Sequence, residues 1–364
     1  MMKLRKHQQE MSDIIDEVIC GRFIKTIICE CTPGSGKSLL PIIAGKLLAA
    51  GLADALCWVV PRKTLQKQGE SNFQDPLFRE MLGHKLNIRS STNDINPCRG
   101  LDGFITTYQA IGIDDRRTVL SDFSKKRYIL VLDENQHVED GGTWHESLQP
   151  IIDKAKYIIL MTGSSSRGNG TPIALMSNPH PETTARIIYG RKDALNEKAI
   201  IPLHFSFSDG TADWIDYDGK EVKCDSIAKV GRKDAGKAIF TAISTDYAEG
   251  LVSKGLSHWN THKKRVPSSK LLIVTANVAL AKKAMSFLNG KYRVSAEIAT
   301  SHESTEAEMA IKRFKAGITD ILVGVAMFYE GFDCKQVSHI IALTHIRTKE
   351  WLEQMFARAV RIDP

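Results

Sequence analysis

The residues with the clearest chemical purpose are Cys31-Thr32-Pro33-Gly34-Ser35-Gly36-Lys37-Ser38 and, further along the chain, the pair Asp133-Glu134. Gly34 and Gly36 let the backbone curl so that several N–H groups point into one hollow. A helix starting just after the turn adds free N–H groups and the positive end of its dipole. Lys37 then reaches the β- and γ-phosphates of a triphosphate such as ATP, and the Ser38 hydroxyl takes one Mg²⁺ position. Asp133 and Glu134 end the apolar run 128–132. Two carboxylates at the tip of a buried strand suit phosphoryl transfer. Asp133 holds Mg²⁺, directly or through water, and Glu134 orients and deprotonates the attacking water.

These groups need particular elements to hold them. The run 23–29 reads as a buried strand feeding the glycine turn, and 39–43 as the start of a helix. Upstream, Met11, Ile14, Ile15, Val18 and Ile19 have helical spacing within 4–19. The first turn of that helix carries Arg5 and Gln8. A glutamine amide both donates and accepts, so Gln8 can read the edge of adenine; a solvated surface glutamine is the alternative. The run 55–60 is a strand whose carboxyl end carries Arg62, Lys63 and Thr64, suited to phosphate contacts. The stretch 103–109 reads as a strand ending in hydroxyl-bearing residues that could meet a nucleic-acid backbone. The run 157–161 is a further strand, followed by Thr162-Gly163-Ser164.

Asp-Gly turns at Asp209-Gly210 and Asp218-Gly219 mark a small hairpin within 205–224, and 229–259 is helical in pattern. The basic break 261–269 precedes a second alternation of strands (271–274, 294–299, 318–325, 337–343) and helices (278–288, 306–314, 351–360). Strands alternating with helices imply parallel sheets, so the chain is expected to be α/β with two similar domains, only the first bearing the glycine turn. The expected limits are 1–205 for the first domain, 206–269 for a bridging segment and 270–364 for the second domain. His258 and His262 stand four apart with no third ligand near in sequence, and read as a surface pair.

Composition sets outer bounds. With 364 residues, two domains are the default. The net charge of +7 favours a polyanionic partner without proving one. No apolar run is long enough to span a bilayer, and the N-terminus lacks a signal-peptide core, so no membrane role is expected. The seven cysteines are scattered without a C-x-x-C pair, which fits a reducing, cytoplasmic setting.

The blocks, in this order, resemble the superfamily 2 helicases and translocases, nearest the DEAH-like group that includes restriction-enzyme motor subunits. The resemblance implies two tandem RecA-like parallel-sheet domains and the cofactors ATP and Mg²⁺. It places Arg5 and Gln8 at the adenine, and residues 33–38 (Pro33, Gly34, Ser35, Gly36, Lys37 and Ser38) around the phosphates. It implies nucleic-acid contacts by Arg62, Thr107, Tyr108 and Thr275. Gln136, His137, Thr162, Ser164 and Gln354 become coupling residues. The sequence Asp-Glu-Asn-Gln-His departs from the commoner Asp-Glu-Ala-His, which leaves Gln136 and His137 as alternative couplers. Residues 329–333 match motif V, placing Gly331 and Asp333 near nucleotide. Residues 354–361 match motif VI. Arg358 and Arg361, three apart on one helical face, are then arginine fingers for the γ-phosphate. The implied activity is ATP-driven movement along or unwinding of DNA, with RNA as the alternative substrate. The implied form is a monomeric motor that serves a nuclease or other accessory subunit. Family members usually continue past motif VI, so the resemblance leaves a fragment or a minimal motor as the two expectations.

Overall fold

In the computed structural model, residues 3–91, 94–113, 118–163, 170–177, 179–215, 218–300, 305–325, 332 and 334–361 are described. The chain forms two compact units, Met1–Ala199 and Ile200–Pro364.

The first unit is built on seven strands: β1 (Thr26–Cys31), β2 (Ala55–Val60), β3 (Ile88–Ser90), β4 (Gly103–Thr107), β5 (Tyr128–Asp133), β6 (Tyr157–Thr162) and β7 (Thr184–Tyr189). They form one sheet in the order β3-β4-β2-β5-β6-β1-β7, every neighbouring pair parallel. β2, β4 and β5 are buried along their whole length, which is why they read as unbroken apolar runs. β1 starts at Thr26 rather than Phe23; Phe23 is exposed, and Gly21 just before it has a left-handed φ of 104°. β7 has no clear signal in the sequence. It is an edge strand with Ile188 turned to solvent, so it offers neither an unbroken run nor a clean alternation.

The first helix, Lys6–Ile19, lies along the helical segment after the glycine turn. Lys46 fastens the two, its Nζ 2.8 Å from Ser12 Oγ and 2.9 Å from the Asp16 carboxylate. The helix Lys63–Gln74 approaches β2 and β4 at Gly69, where an added Cβ would lie 2.8 Å from both Ile105 and Trp58.

The second unit contains an antiparallel ribbon, β8 (Ala212–Ile215) with β9 (Glu221–Cys224). Its main sheet has β10 (Lys270–Thr275), β11 (Glu297–Ala299), β12 (Ile321–Val325) and β13 (Val337–Leu343), parallel in the order β11-β12-β10-β13. Alternate side chains of β10 enter different cores. Leu271 and Ile273 pack with Val252, Leu256 and Trp259 of the helix Tyr247–Lys263; Leu272 and Val274 pack with Phe314, Trp351 and Met355. The stretch 206–269 therefore supplies a covering helix to the second sheet as well as the ribbon.

The last helix is Lys349–Phe356, shorter than the spacing over 351–360 predicts. Beyond it the hydrogen bonds tighten to three-residue turns, Arg358 N to Met355 O at 3.1 Å and Ala359 N to Phe356 O at 3.0 Å. The Val360 carbonyl then accepts from Ile201 N at 2.9 Å, drawing the chain off the helical path. Arg358 and Arg361 thus follow the helix and do not share a helical face.

Candidate active site

Strand register brings the chemical groups of the first unit to one level. β6 lies between β1 and β5, with Glu30 opposite Thr162 and Asp133 opposite Met161. The turn after β1 and the carboxylates after β5 therefore emerge at the same end of the sheet, two strand spacings or roughly 10 Å apart. Lys37 bridges that gap. Its ammonium pairs with the Glu134 carboxylate and lies 3.4 Å from Asp133 Oδ1.

The loop itself has the geometry that its glycines suggest. Gly34 and Gly36 both sit at φ 84°, where a Cβ is strained. At Gly36 that Cβ would also lie 3.1 Å from Arg5 Nη1 and 3.2 Å from Gln8 Nε2. Those two side chains clasp the loop. The Arg5 guanidinium donates to the Ser35 carbonyl, and Gln8 Nε2 donates to the Gly36 carbonyl at 3.1 Å. Gln8 Oε1 accepts from Arg5 N at 2.9 Å, so the clasp is itself locked. Ser38 is half-buried in the short turn Lys37–Leu39 that opens the next helix.

Around the carboxylates the bonding is dense. Glu134 takes a left-handed backbone, φ 51°, which turns the chain sharply after β5, and its N–H donates to Asp133 Oδ1 at 2.9 Å. Gln136 Nε2 donates to Glu134 Oε2 at 2.6 Å, and Thr162 Oγ1 donates to Gln136 Oε1 at 2.6 Å. This relay ties the ends of β5 and β6 together. His137 closes the same turn, half-buried and near enough to favour the Glu134 charge.

Electrostatics follow from burial and from the one cation. Burial works against the Lys37 charge, but Glu134 and Asp133 outweigh it and hold the ammonium above its usual range. Burial pushes Asp133 up to about 6, with Lys37 pulling against it and Glu134 adding to it. Burial also opposes the Glu134 charge, but Lys37 and the Gln136 amide overcome it and hold this carboxyl below its usual value. One cation thus serves two acids unequally, holding Glu134 lower than Asp133.

The residues fit a triphosphate with a divalent cation. Ser35 Oγ is fully buried without a protein partner, beside two left-handed glycines that turn N–H groups inward. Ser38 and Asp133 supply hard oxygen donors of the kind Mg²⁺ takes. No group of three His, Cys, Asp or Glu residues forms a metal cage among the described residues.

Other positions named from sequence lie elsewhere. Tyr108 is a core residue at 1% exposure rather than a surface for nucleic acid; its hydroxyl donates to the Asp133 carbonyl at 2.8 Å and its ring stacks on Trp144 at 5.2 Å. Thr107 is also buried, its hydroxyl accepting from Ala110 N at 3.1 Å as a helix cap. Thr275 is buried too, its hydroxyl bonded to the Gly324 carbonyl at 3.2 Å and the Asn277 carbonyl at 3.1 Å. Arg62 is half-buried at the start of the Lys63–Gln74 helix. Within the second unit Gln354 and Arg358 are buried and Arg361 is half-buried; Arg358 Nη1 donates to the Phe332 carbonyl at 2.7 Å. Ser164, Gly331 and Asp333 lie outside the described residues. Sequence inspection missed Asn135, whose amide donates to the Ala174 carbonyl at 2.9 Å and anchors the carboxylate turn; an isolated asparagine gives no signal for this.

Residues 1–167 match the family model "Type III restriction enzyme, res subunit", and residues 255–363 match "Helicase conserved C-terminal domain". No curated protein sequence matches the chain. Among solved structures, the chain is similar to the Hef helicase domain of Pyrococcus furiosus, at 13% identity and TM-score 0.53, over 98% of this chain and 92% of that one. It is similar to the helicase Lhr of Mycobacterium smegmatis, solved with ssDNA and AMP-PNP, at 17% identity and TM-score 0.57, over 98% of this chain but 44% of that one. A fragment described as an HsdR subunit of a type I restriction enzyme from Vibrio vulnificus YJ016 aligns at 14% identity and TM-score 0.58, over 98% of this chain and 61% of that one. These similarities bear on the fold, two RecA-like domains. The restriction-subunit model over residues 1–167 and the helicase model over residues 255–363 together support a superfamily 2 helicase of restriction-enzyme motor type.

Proposed function

We propose that this chain is a nucleic-acid-dependent ATPase that couples ATP hydrolysis to movement along, or unwinding of, DNA. The observation that carries the proposal is the meeting of Lys37 with Asp133 and Glu134 beside a loop of two left-handed glycines. Arg5 and Gln8, already fixed to the loop, flank the adenine. The loop N–H groups and Lys37 hold the phosphates, so Lys37 exchanges its carboxylate partners for phosphate oxygens when nucleotide binds. Ser38 and Asp133 would hold Mg²⁺, which would supply charge neutralisation at the phosphates. Glu134, kept ionised, accepts the proton of the attacking water as its oxygen bonds to the γ-phosphorus and the bond to ADP breaks. Arg358 and Arg361 of the second unit are assigned to the charge that spreads over the γ-phosphoryl oxygens.

A second reading is translocation on duplex DNA without strand separation, by a motor of the restriction-subunit kind that residues 1–167 match. Strand release measured beside triplex displacement distinguishes the two. The founding test is ATP turnover without polymer, with single-stranded DNA, with duplex DNA and with RNA, each at two salt concentrations. Stimulation by DNA that falls steeply with salt is expected, since phosphate contacts dominate such binding. Lys37→Ala and Glu134→Gln should each abolish the stimulated turnover; wild-type rates in either variant refute the assigned site.

A further inference from the structure

The second unit carries a separate cluster of polar groups. A cavity of about 420 Å³ is lined by His258, Thr261, His262 and Arg265 from the end of the helix Tyr247–Lys263 and its following turn, and by His339 from β13. His339 is the third imidazole that sequence spacing does not reveal: its ring centroid lies 5.2 Å from that of His262. The cavity sits at the amino end of the sheet, since His339 is the third residue of β13. Thr275 ends β10 at the opposite edge. The cluster is thus remote from the strand ends that carry motif residues.

The lining holds three imidazoles, a guanidinium and a hydroxyl, and no carboxylate. Two observations separate an anion site from a metal site. No trio of ligating residues is arranged for a metal ion among the described residues, and Arg265 adds a fixed positive charge that repels one. A chain of hydroxyl groups lies behind His339. Trp259 Nε1 donates to Ser269 Oγ at 3.1 Å, Ser269 Oγ lies 2.5 Å from Ser338 Oγ, and Ser338 Oγ lies 2.8 Å from His339 Nδ1. Tryptophan can only donate, so Ser269 accepts from it, and the relay that runs on from Ser269 to Ser338 to Nδ1 is the one that matches a proton on Nε2. With Nδ1 held by Ser338, Nε2 is the ring nitrogen left for a ligand, and in that tautomer it donates without net charge. Burial and the two neighbouring histidines also lower its pKa to about 4, which keeps it neutral.

We propose that this cavity binds a phosphate oxyanion, with Arg265 supplying charge and His339 Nε2–H a fixed donor, flanked by His258 and His262. The same chemistry is presented by inorganic phosphate and by a nucleic-acid phosphodiester. The test uses the full chain with ¹⁵N-labelled histidine, titrated with inorganic phosphate at pH 7 and followed by imidazole resonances. Saturable shifts of His339, His258 and His262 are expected, with affinity at least tenfold weaker in Arg265→Gln. His339→Gln, which keeps a donor but loses the Ser338 relay, should weaken binding while leaving ATP turnover unchanged. Release of bound phosphate by a short oligodeoxynucleotide identifies the phosphodiester as the ligand; retention identifies the free ion, and either outcome upholds the oxyanion site. Unsaturable shifts, equal affinity in Arg265→Gln, or tight Zn²⁺ binding by all three histidines without any phosphate response would overturn it. ATP turnover is read separately, so failure here leaves the motor proposal standing.

Discussion

Lys37 is shared unequally between two acids. Glu134 holds the ion pair and the Gln136 amide, while Asp133 is left with the higher pKa. Gln136 positions Glu134 and links it to Thr162. Gln136→Ala should lower kcat about 10- to 100-fold while KM for ATP stays within about threefold, because the binding groups are untouched. An equal rise in KM would point to general disruption instead. His7 supplies a second prediction. It is fully buried, neither ring nitrogen has a protein partner, and its ring lies 4.1 Å from that of Tyr189. Burial, helped by the Arg5 charge, lowers its pKa to about 4. Between about 4 and 6.5 the unfolded chain therefore binds more protons than the folded one, so stability falls as pH drops through that window. The loss is expected to reach about 2–4 kcal/mol. Urea unfolding at pH 7.5 and pH 5 measures it, and His7→Phe, which keeps a ring against Tyr189, should flatten the difference.

Elements hold these residues through backbone groups as much as side chains. β5 ends where the Asp133 carbonyl would lose its ladder partner, and the Tyr108 hydroxyl takes that place from the neighbouring short helix Tyr108–Gly112. Tyr108→Phe keeps the stacked ring and leaves the buried carbonyl unsatisfied, a loss of about 1–3 kcal/mol in unfolding free energy. Unfolding by urea with an unchanged m-value is the check; an unaltered midpoint would mean that water replaces the hydroxyl. The relay from Gln136 to Thr162 works for a related reason. Parallel neighbours in register end level, so side chains from successive strand ends meet although they are distant in sequence.

At the scale of the molecule, the two units carry different charged groups. The first has the glycine loop, one lysine and two acids; the second has Arg358 and Arg361. Arg358 donates to the Phe332 carbonyl, so its replacement would also disturb the second unit's core. Arg361, half-buried past the last helix, is the cleaner probe. If both units act on one nucleotide, Arg361→Ala should reduce stimulated kcat by about 10³-fold with little change in ATP affinity. Retention of full turnover would assign hydrolysis to the first unit alone. No helix of the described residues is long and apolar enough to cross a membrane.

The sequence by itself determined the α/β class, the glycine loop and the tip of β5, because these signals are local. An unbroken apolar run, a glycine at a left-handed turn and a lysine-serine pair are each written within a few residues. It did not determine where β7 lies, that Tyr108 and Thr275 are buried, or that the last helix stops before Arg358. It gave no sign that His339 joins His258 and His262. Those facts depend on strand order and register, which bring together groups with no fixed spacing along the chain. A hydroxyl after a strand reads the same whether it faces solvent or closes a buried carbonyl, and only the packed neighbours decide between them.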